Sequence, residues 1–90
     1  MSIASVSGSF TATGQSSNIA LEGPFNLSLS GFGSATVSVQ RSFDSGSTWK
    51  DVETFTTDAE KRGCEPESGI VYRFNCSAYT SGTILYRLSR

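Results

Sequence analysis

The chain carries the octapeptide Ser42-Phe43-Asp44-Ser45-Gly46-Ser47-Thr48-Trp49, which has the composition of a β-hairpin tip. The carboxylate of Asp44 can turn back onto backbone N–H groups a few residues ahead, as aspartates in turns do. Gly46 supplies the positive φ that a tight reversal needs. Thr48 is β-branched and restarts a strand, while Trp49 can fold its ring over the turn and donate its indole N–H to a carbonyl. The octapeptide therefore predicts a hairpin between two strands.

Runs of alternating side chains lead into and away from this hairpin. Strict alternation is typical of strands with one buried face. We expect four such strands, and the positions that share a face in each are Phe25, Leu27 and Leu29; Ala35, Val37, Val39, Arg41 and Phe43; Ile70, Tyr72, Phe74 and Cys76; and Ile84, Tyr86 and Leu88.

Shorter strands and turns fill the remainder of the chain. The pattern predicts strands around residues 6–12 and 18–21, and a return strand that begins at Trp49. Gly, Ser and Pro predict turns at residues 14–17, 22–24 and 80–83, and a turn or a wide bulge at residues 31–33. The charged segment 56–68 is expected to be a long loop, with room for a brief strand or helical turn near residues 59–62. The whole pattern indicates an all-β fold, a single antiparallel β-sandwich of about seven or eight strands, either immunoglobulin-like or jelly-roll.

Size and charge restrict the function further. The 90 residues form one domain, residues 1–90, with a short N-terminal arm at residues 1–5. A net charge of −1 gives no electrostatic footprint for nucleic acid. No apolar run is long enough to span a membrane, and no secretory signal opens the chain. We therefore expect synthesis in the cytoplasm and no nucleic-acid or membrane partner.

No group of residues has the spacing of a catalytic or metal site. The chain has no histidine, which removes the commonest general base and zinc ligand. Glu65 and Glu67 bracket Pro66 in the expected loop, where solvated side chains are a better interpretation than a glycosidase pair. Cys64 and Cys76 are expected to be buried free thiols, although a disulfide stays open. We predict no enzymatic activity, no cofactor and no metal.

Aromatic and basic residues leave one alternative open. An aromatic platform for carbohydrate could form from Trp49, Tyr72, Tyr79 and Tyr86 if several were exposed on one face. The alternation favours core positions for Tyr72 and Tyr86. Arginines at alternating strand positions are expected to pair with acids or lie along an interface; they are Arg41, Arg73 and Arg87.

The octapeptide resembles the Asp-box, the S-x-D-x-G-x-T-W hairpin found in the blades of sialidases and related β-propellers. All five signature positions match: Ser42, Asp44, Gly46, Thr48 and Trp49. In those families the Asp-box is a structural turn away from the catalytic residues. The resemblance thus implies a structural role for Asp44 and Trp49, and a sialidase fragment is disfavoured because no catalytic set can be placed on this chain.

Features along nearly the whole chain resemble small virion proteins of tailed phages and prophages of Gram-negative bacteria. The stretches that carry the likeness are residues 13–16, 23–31, 37–49, 65–69, 72–76, 79–83 and 86–89. The resemblance implies a non-enzymatic structural component of the virion, most of all a capsid decoration (cement) protein. A carbohydrate- or receptor-binding module of a fibre or tail is the alternative.

Partners and location follow from that resemblance. The major capsid protein or another virion protein is the implied partner, the protein itself is expected to be a trimer or dimer, and it is expected in the virion. We expect the N-terminal arm, including Ser2, Ile3, Ala4 and Ser5, to clamp onto a neighbouring subunit.

Overall fold

The computed structural model describes residues 5–90, which contain strands and connecting turns and no helix. All pairings between the strands are antiparallel, so the prediction of an all-β antiparallel fold is confirmed. The strands in chain order are β1 (Ser5–Phe10), β2 (Gly14–Gln15), β3 (Ile19–Ser42), β4 (Lys50–Phe55) and β5 (Ala59–Ser89).

The long strands β3 and β5 each contribute to two layers, because different parts of them have different neighbours. In the first layer β1 pairs with residues 84–89 of β5. Residues 26–30 of β3 pair with residues 85–89 on one side and with residues 59–62 on the other. The first layer therefore runs from β1 through the end of β5 and the first half of β3 to the start of β5.

The second layer is built from the middle of β5 and the second half of β3. Residues 70–76 of β5 pair with β2 and residues 19–21 on one side. On their other side they pair with residues 37–42 of β3, which in turn pair with β4. The first layer thus has four strand segments, and in the second layer β2 and residues 19–21 follow one another along one edge while β4 forms the other.

Glycines with positive φ mark one place where both long strands pass from layer to layer. Gly31 has a φ of 80° and Gly82 a φ of 110°. A Cβ on Gly31 would overlap the carbonyl oxygen of Thr83, and one on Gly82 would lie 2.5 Å from the backbone nitrogen of Gly33. Only glycine fits this crossing, because the two backbones approach too closely for side chains.

The core lies between the two layers. The rings of Phe74 in the second layer and Tyr86 in the first are 5.5 Å apart between centroids, and those of Phe25 and Tyr72 are 5.0 Å apart. Burial of inward side chains is the main stabilising contribution. The buried apolar residues are Phe10, Ile19, Leu21, Phe25, Leu27, Leu29, Val37, Val39, Phe55, Ile70, Tyr72, Phe74, Cys76, Ile84 and Leu88.

Several local expectations differ from the structure. Residues 59–68 belong to β5 and are not a loop: residues 59–65 pair with β3, and their charged side chains are exposed except for that of Glu65. Residues 22–24 are not a turn, because Gly23 and Pro24 pair with β5 within β3. At residues 31–33 the strand continues with an irregular register, as expected for a bulge. Residues 80–83 are not a hairpin turn, because residues 81 and 82 pair with β3 at the crossing between layers. The turn expected at 14–17 begins with β2 instead.

One residue of the expected N-terminal arm belongs to a strand. Ser5 is the first residue of β1 and pairs with Ser89, so it is part of a sheet. Its backbone is held by strand pairing, which the weak side-chain alternation around it does not reveal. Ser2, Ile3 and Ala4 lie outside the described residues.

Candidate functional site

The octapeptide connects β3 to β4, and its polar side chains fix the turn by hydrogen bonds. Asp44 Oδ1 accepts from the backbone N–H of Thr48 at 2.9 Å, and Oδ2 accepts from the Thr48 hydroxyl at 2.6 Å. Ser42 Oγ donates to Asp44 at 2.6 Å and accepts from the N–H of Gly46 at 2.8 Å. The indole N–H of Trp49 donates to the carbonyl of Gly46 at 3.1 Å. All five signature residues are therefore joined in one network.

This network favours the ionised form of Asp44. Hydrogen bonds from the hydroxyls of Ser42 and Thr48, and then from the Thr48 backbone, lower the pKa of the Asp44 carboxyl well below its usual value of 3.8. A carboxylate that accepts several hydrogen bonds within a turn is held in place by them. Its role in this geometry is to close the hairpin, because its oxygens are already occupied by the turn.

A flat polar surface covers the outer face of the second layer beside the hairpin. Arg73 lies over the ring of Trp49 at 4.2 Å from the centroid and donates from Nε to Gln40 at 2.9 Å. Gln40 in turn donates to Asp51 at 2.8 Å. Partial burial lowers the pKa of Arg73 from its usual value. The stacked guanidinium covers one face of the indole, which leaves less of that ring for a ligand.

The four candidate aromatic residues are not gathered into a platform. Tyr72 is only 2% exposed, within the core. Tyr86 packs against Phe10, and the hydroxyl of Tyr79 donates to the carbonyl of Gly82 at the crossing between layers. Trp49 stands alone on the hairpin. The core position predicted for Tyr72 is thus confirmed. Tyr86 is partly buried and packs against the core without being part of it.

A charged cluster surrounds the buried Glu65, and its ion pair with Arg41 confirms the expectation that Arg41 pairs with an acid. Glu65 is 1% exposed, although it was expected in a solvated loop. Its carboxylate bonds Arg41 Nη1 at 3.0 Å, accepts from the Tyr72 hydroxyl at 2.7 Å and accepts from the backbone N–H of Glu67 at 3.1 Å. Burial, and then the hydrogen bond to Glu65, raise the pKa of Tyr72 to about 12. The cluster is a satisfied structural network.

Other chemistry-bearing groups are dispersed. Among residues 5–90 no three His, Cys, Asp or Glu side chains are close enough to hold a metal ion. In that same range no helix is long and apolar enough to cross a membrane.

Cys64 and Cys76 are both free thiols, as expected. Cys76 is buried, but Cys64 is exposed, so the expected burial of Cys64 is wrong. Burial raises the pKa of the Cys76 thiol, which makes it a poor nucleophile.

Two of the four edges of the layers, β1 and β4, differ in how they are protected. Within residues 5–90, β1 pairs on one side only, and its sequence Ser-Val-Ser-Gly-Ser-Phe contains no charge and no proline. β4 carries Lys50, Asp51 and Glu53, and a bulge interrupts its register. Charges and bulges are the usual protection of exposed strand edges against pairing with other chains. Of these two edge strands, β1 is the one that is open to such pairing.

The fold has a counterpart among solved structures. The chain is similar to a mitogen derived from Yersinia pseudotuberculosis, with a TM-score of 0.57 and 14% identity over 98% of this chain and 84% of that chain. At this identity the similarity shows the fold alone. No protein-family model and no curated protein sequence matches the chain.

Proposed function

We propose that the protein is a non-enzymatic structural component of a tailed-phage virion, a capsid decoration protein that binds the capsid lattice as a trimer or dimer. The resemblance to small virion proteins along nearly the whole sequence supports this proposal. A small antiparallel β fold with exposed strand edges also suits a protein that acts by occupying a surface.

The unprotected edge of β1 is the observation that carries the proposal. A strand without charge or proline can extend its sheet by pairing with a strand of another chain. Ser5, Ser7 and Ser9 are exposed there, and their small side chains leave the backbone accessible. The partner would be a second copy in the oligomer or a strand of the major capsid protein. The N-terminal arm, which precedes β1, would contact the neighbouring subunit.

A lysine placed on this edge tests the proposal. We expect the native protein to form a defined oligomer and to saturate empty capsids of its phage at a fixed ratio per hexamer, as measured by mass photometry. Ser7→Lys should weaken oligomerisation or capsid binding by about tenfold or more, because an edge lysine opposes strand pairing.

Removing residues 1–4 tests the proposed contact of the N-terminal arm with a neighbouring subunit. This truncation should weaken capsid binding and leave the domain folded.

Val52→Lys is the matched control, since it adds the same charge to the edge strand of the other layer at a side chain that is 50% exposed. This variant should bind as the native protein does. A monomer that ignores capsids would contradict the decoration proposal and would favour the carbohydrate- or receptor-binding module, for which a glycan array is the next measurement.

A further inference from the structure

A groove of about 710 Å³ lies on the outer face of the first layer. Three neighbouring segments form its floor: the start of β5, the first half of β3 and the end of β5. The groove is distinct from the hairpin and from the buried Glu65 cluster, and it lies beside β1, whose Ser5 and Ser7 pair with Ser89 and Arg87. Nothing in the proposed virion role uses it.

Cross-strand pairing arranges the polar side chains of the groove in two rows. Asn26 is opposite Arg62 on one side and Ser89 on the other. Ser28, two residues further along the same strand, is opposite Glu60 and Arg87. Directly opposite residues point to the same face of a sheet, with Cβ atoms about 5 Å apart. The rows therefore place amide, hydroxyl and guanidinium donors next to one another on one surface.

The charge of the groove is positive although the protein as a whole has a net charge of −1. Its lining includes Lys61, Arg62 and Arg87 but only one acid, Glu60. Glu60 already accepts a hydrogen bond from Ser28, and Lys61 is 3.6 Å from Glu53. Within the described part of the chain, neither Arg62 nor Arg87 takes part in an ion pair. Two guanidinium groups are thus available to a ligand.

The spacing of these two arginines suits one compact anion. They stand on segments separated by a single strand and offset by two residues, which corresponds to roughly 12 Å between their Cα atoms. Both long side chains can reach a group bound above Asn26 and Ser28. Arginine forks bind oxyanions through paired hydrogen bonds, and a phosphate monoester carries a charge of about −2 that two arginines match.

We propose that this groove binds a phosphate group, with Arg62 and Arg87 as the charged ligands and the side-chain amide of Asn26 as an additional donor. The phosphate is either free or carried by a sugar, and the same contacts serve both. The proposal does not rest on the decoration role, because it is argued from the residues of the groove alone.

The test is a titration of the full chain, followed by ¹H–¹⁵N correlation spectra at constant ionic strength. The probes are inorganic phosphate, glucose 6-phosphate and glucose. We expect saturable shifts confined to the groove with both phosphates and none with glucose. Tighter binding of glucose 6-phosphate would identify a sugar phosphate as the preferred form, and equal or weaker binding would identify free phosphate.

Arg62→Gln and Arg87→Gln should each weaken phosphate binding by about tenfold, because each removes a charge-assisted pair of hydrogen bonds. Both arginines are exposed, so the variants should retain the dispersed native spectrum. Lys50→Gln removes the same charge from an exposed site in the other layer and should bind phosphate normally. Absence of saturable shifts, shifts with glucose alone, or an equal loss in Lys50→Gln would overturn the proposal.

Discussion

Two acidic residues show how side chains of the same type acquire different roles from their surroundings. Asp44 is exposed and held by hydroxyl and backbone donors within its own turn. Glu65 is buried and held by Arg41 and Tyr72, which come from distant parts of the chain. The first stabilises a local reversal and the second stabilises the end of the core. Each leads to a separate prediction.

Asp44→Asn should make stability less dependent on pH in the acid range. Because folding lowers the pKa of Asp44, the unfolded chain binds the proton first as the pH falls. The stabilisation from ionised Asp44 is complete above its usual pKa of 3.8 and is lost as the pH falls toward the lower pKa of the folded state. Urea unfolding between about pH 6 and pH 2 should therefore show the native protein losing its advantage over the variant. A difference that stays constant across this range would contradict the assignment.

Glu65→Gln should lower the free energy of unfolding by about 2–3 kcal/mol, since it leaves Arg41 without its buried partner. This loss in the free energy of unfolding is smaller than the loss expected for a fully buried ion pair, because the Arg41 side chain is 31% exposed. Denaturant unfolding measures the loss, and the adjacent exposed Glu67→Gln should cost less than about 0.5 kcal/mol. The tyrosinate absorbance of Tyr72 should also appear at lower pH in Glu65→Gln, because the neighbouring carboxylate helps to hold its proton. Equal losses in the two variants would show that Glu65 is not structurally important.

At the scale of the elements, the decisive features are the crossings of β3 and β5 between the layers. A strand that changes layer must bend sharply without interrupting its hydrogen bonds for long, and glycine with positive φ permits this. Gly31 and Gly82 meet at one such place, where backbone atoms occupy the space of a side chain. Gly69 also has a positive φ, of 81°, but no atom lies within 4 Å of the position of its Cβ.

The comparison of these glycines yields a prediction. Gly31→Ala should destabilise the fold by about 3 kcal/mol, because it combines backbone strain with an overlap on the Thr83 carbonyl. Gly69→Ala should cost only about 1 kcal/mol, since it adds backbone strain alone. Thermal or urea unfolding of both variants measures the difference. Similar costs would show that the crossing at Gly31 tolerates a side chain.

At the scale of the whole molecule, the sequence predicts the local structure of strands and turns better than it predicts which segments pair with one another. The alternation of Phe25, Leu27 and Leu29 and the turn chemistry of the octapeptide are local properties, and the structure has both. The division into two layers depends on pairings between distant segments, which alternation does not encode. Glu65 was placed in a loop because its neighbours are charged, whereas its burial depends on Arg41 and Tyr72. The sequence indicates at most a brief strand or helical turn near residues 59–62, because the strand over residues 59–65 depends on pairing with distant residues of β3.

The pairing of β1 with the last segment of β5 also determines when the molecule can form. Ser5 pairs with Ser89, and the segment that ends at Ser89 lies between β1 and β3 within its layer. A growing chain on the ribosome cannot complete that layer until residues 84–89 have emerged, and contacts so distant in sequence form slowly. Until then the uncharged β1 lacks the segment with which it pairs. Exposure of β1 to neighbouring copies during synthesis is thus a consequence of the topology, and chaperone protection of nascent chains would serve this protein more than one with local pairings.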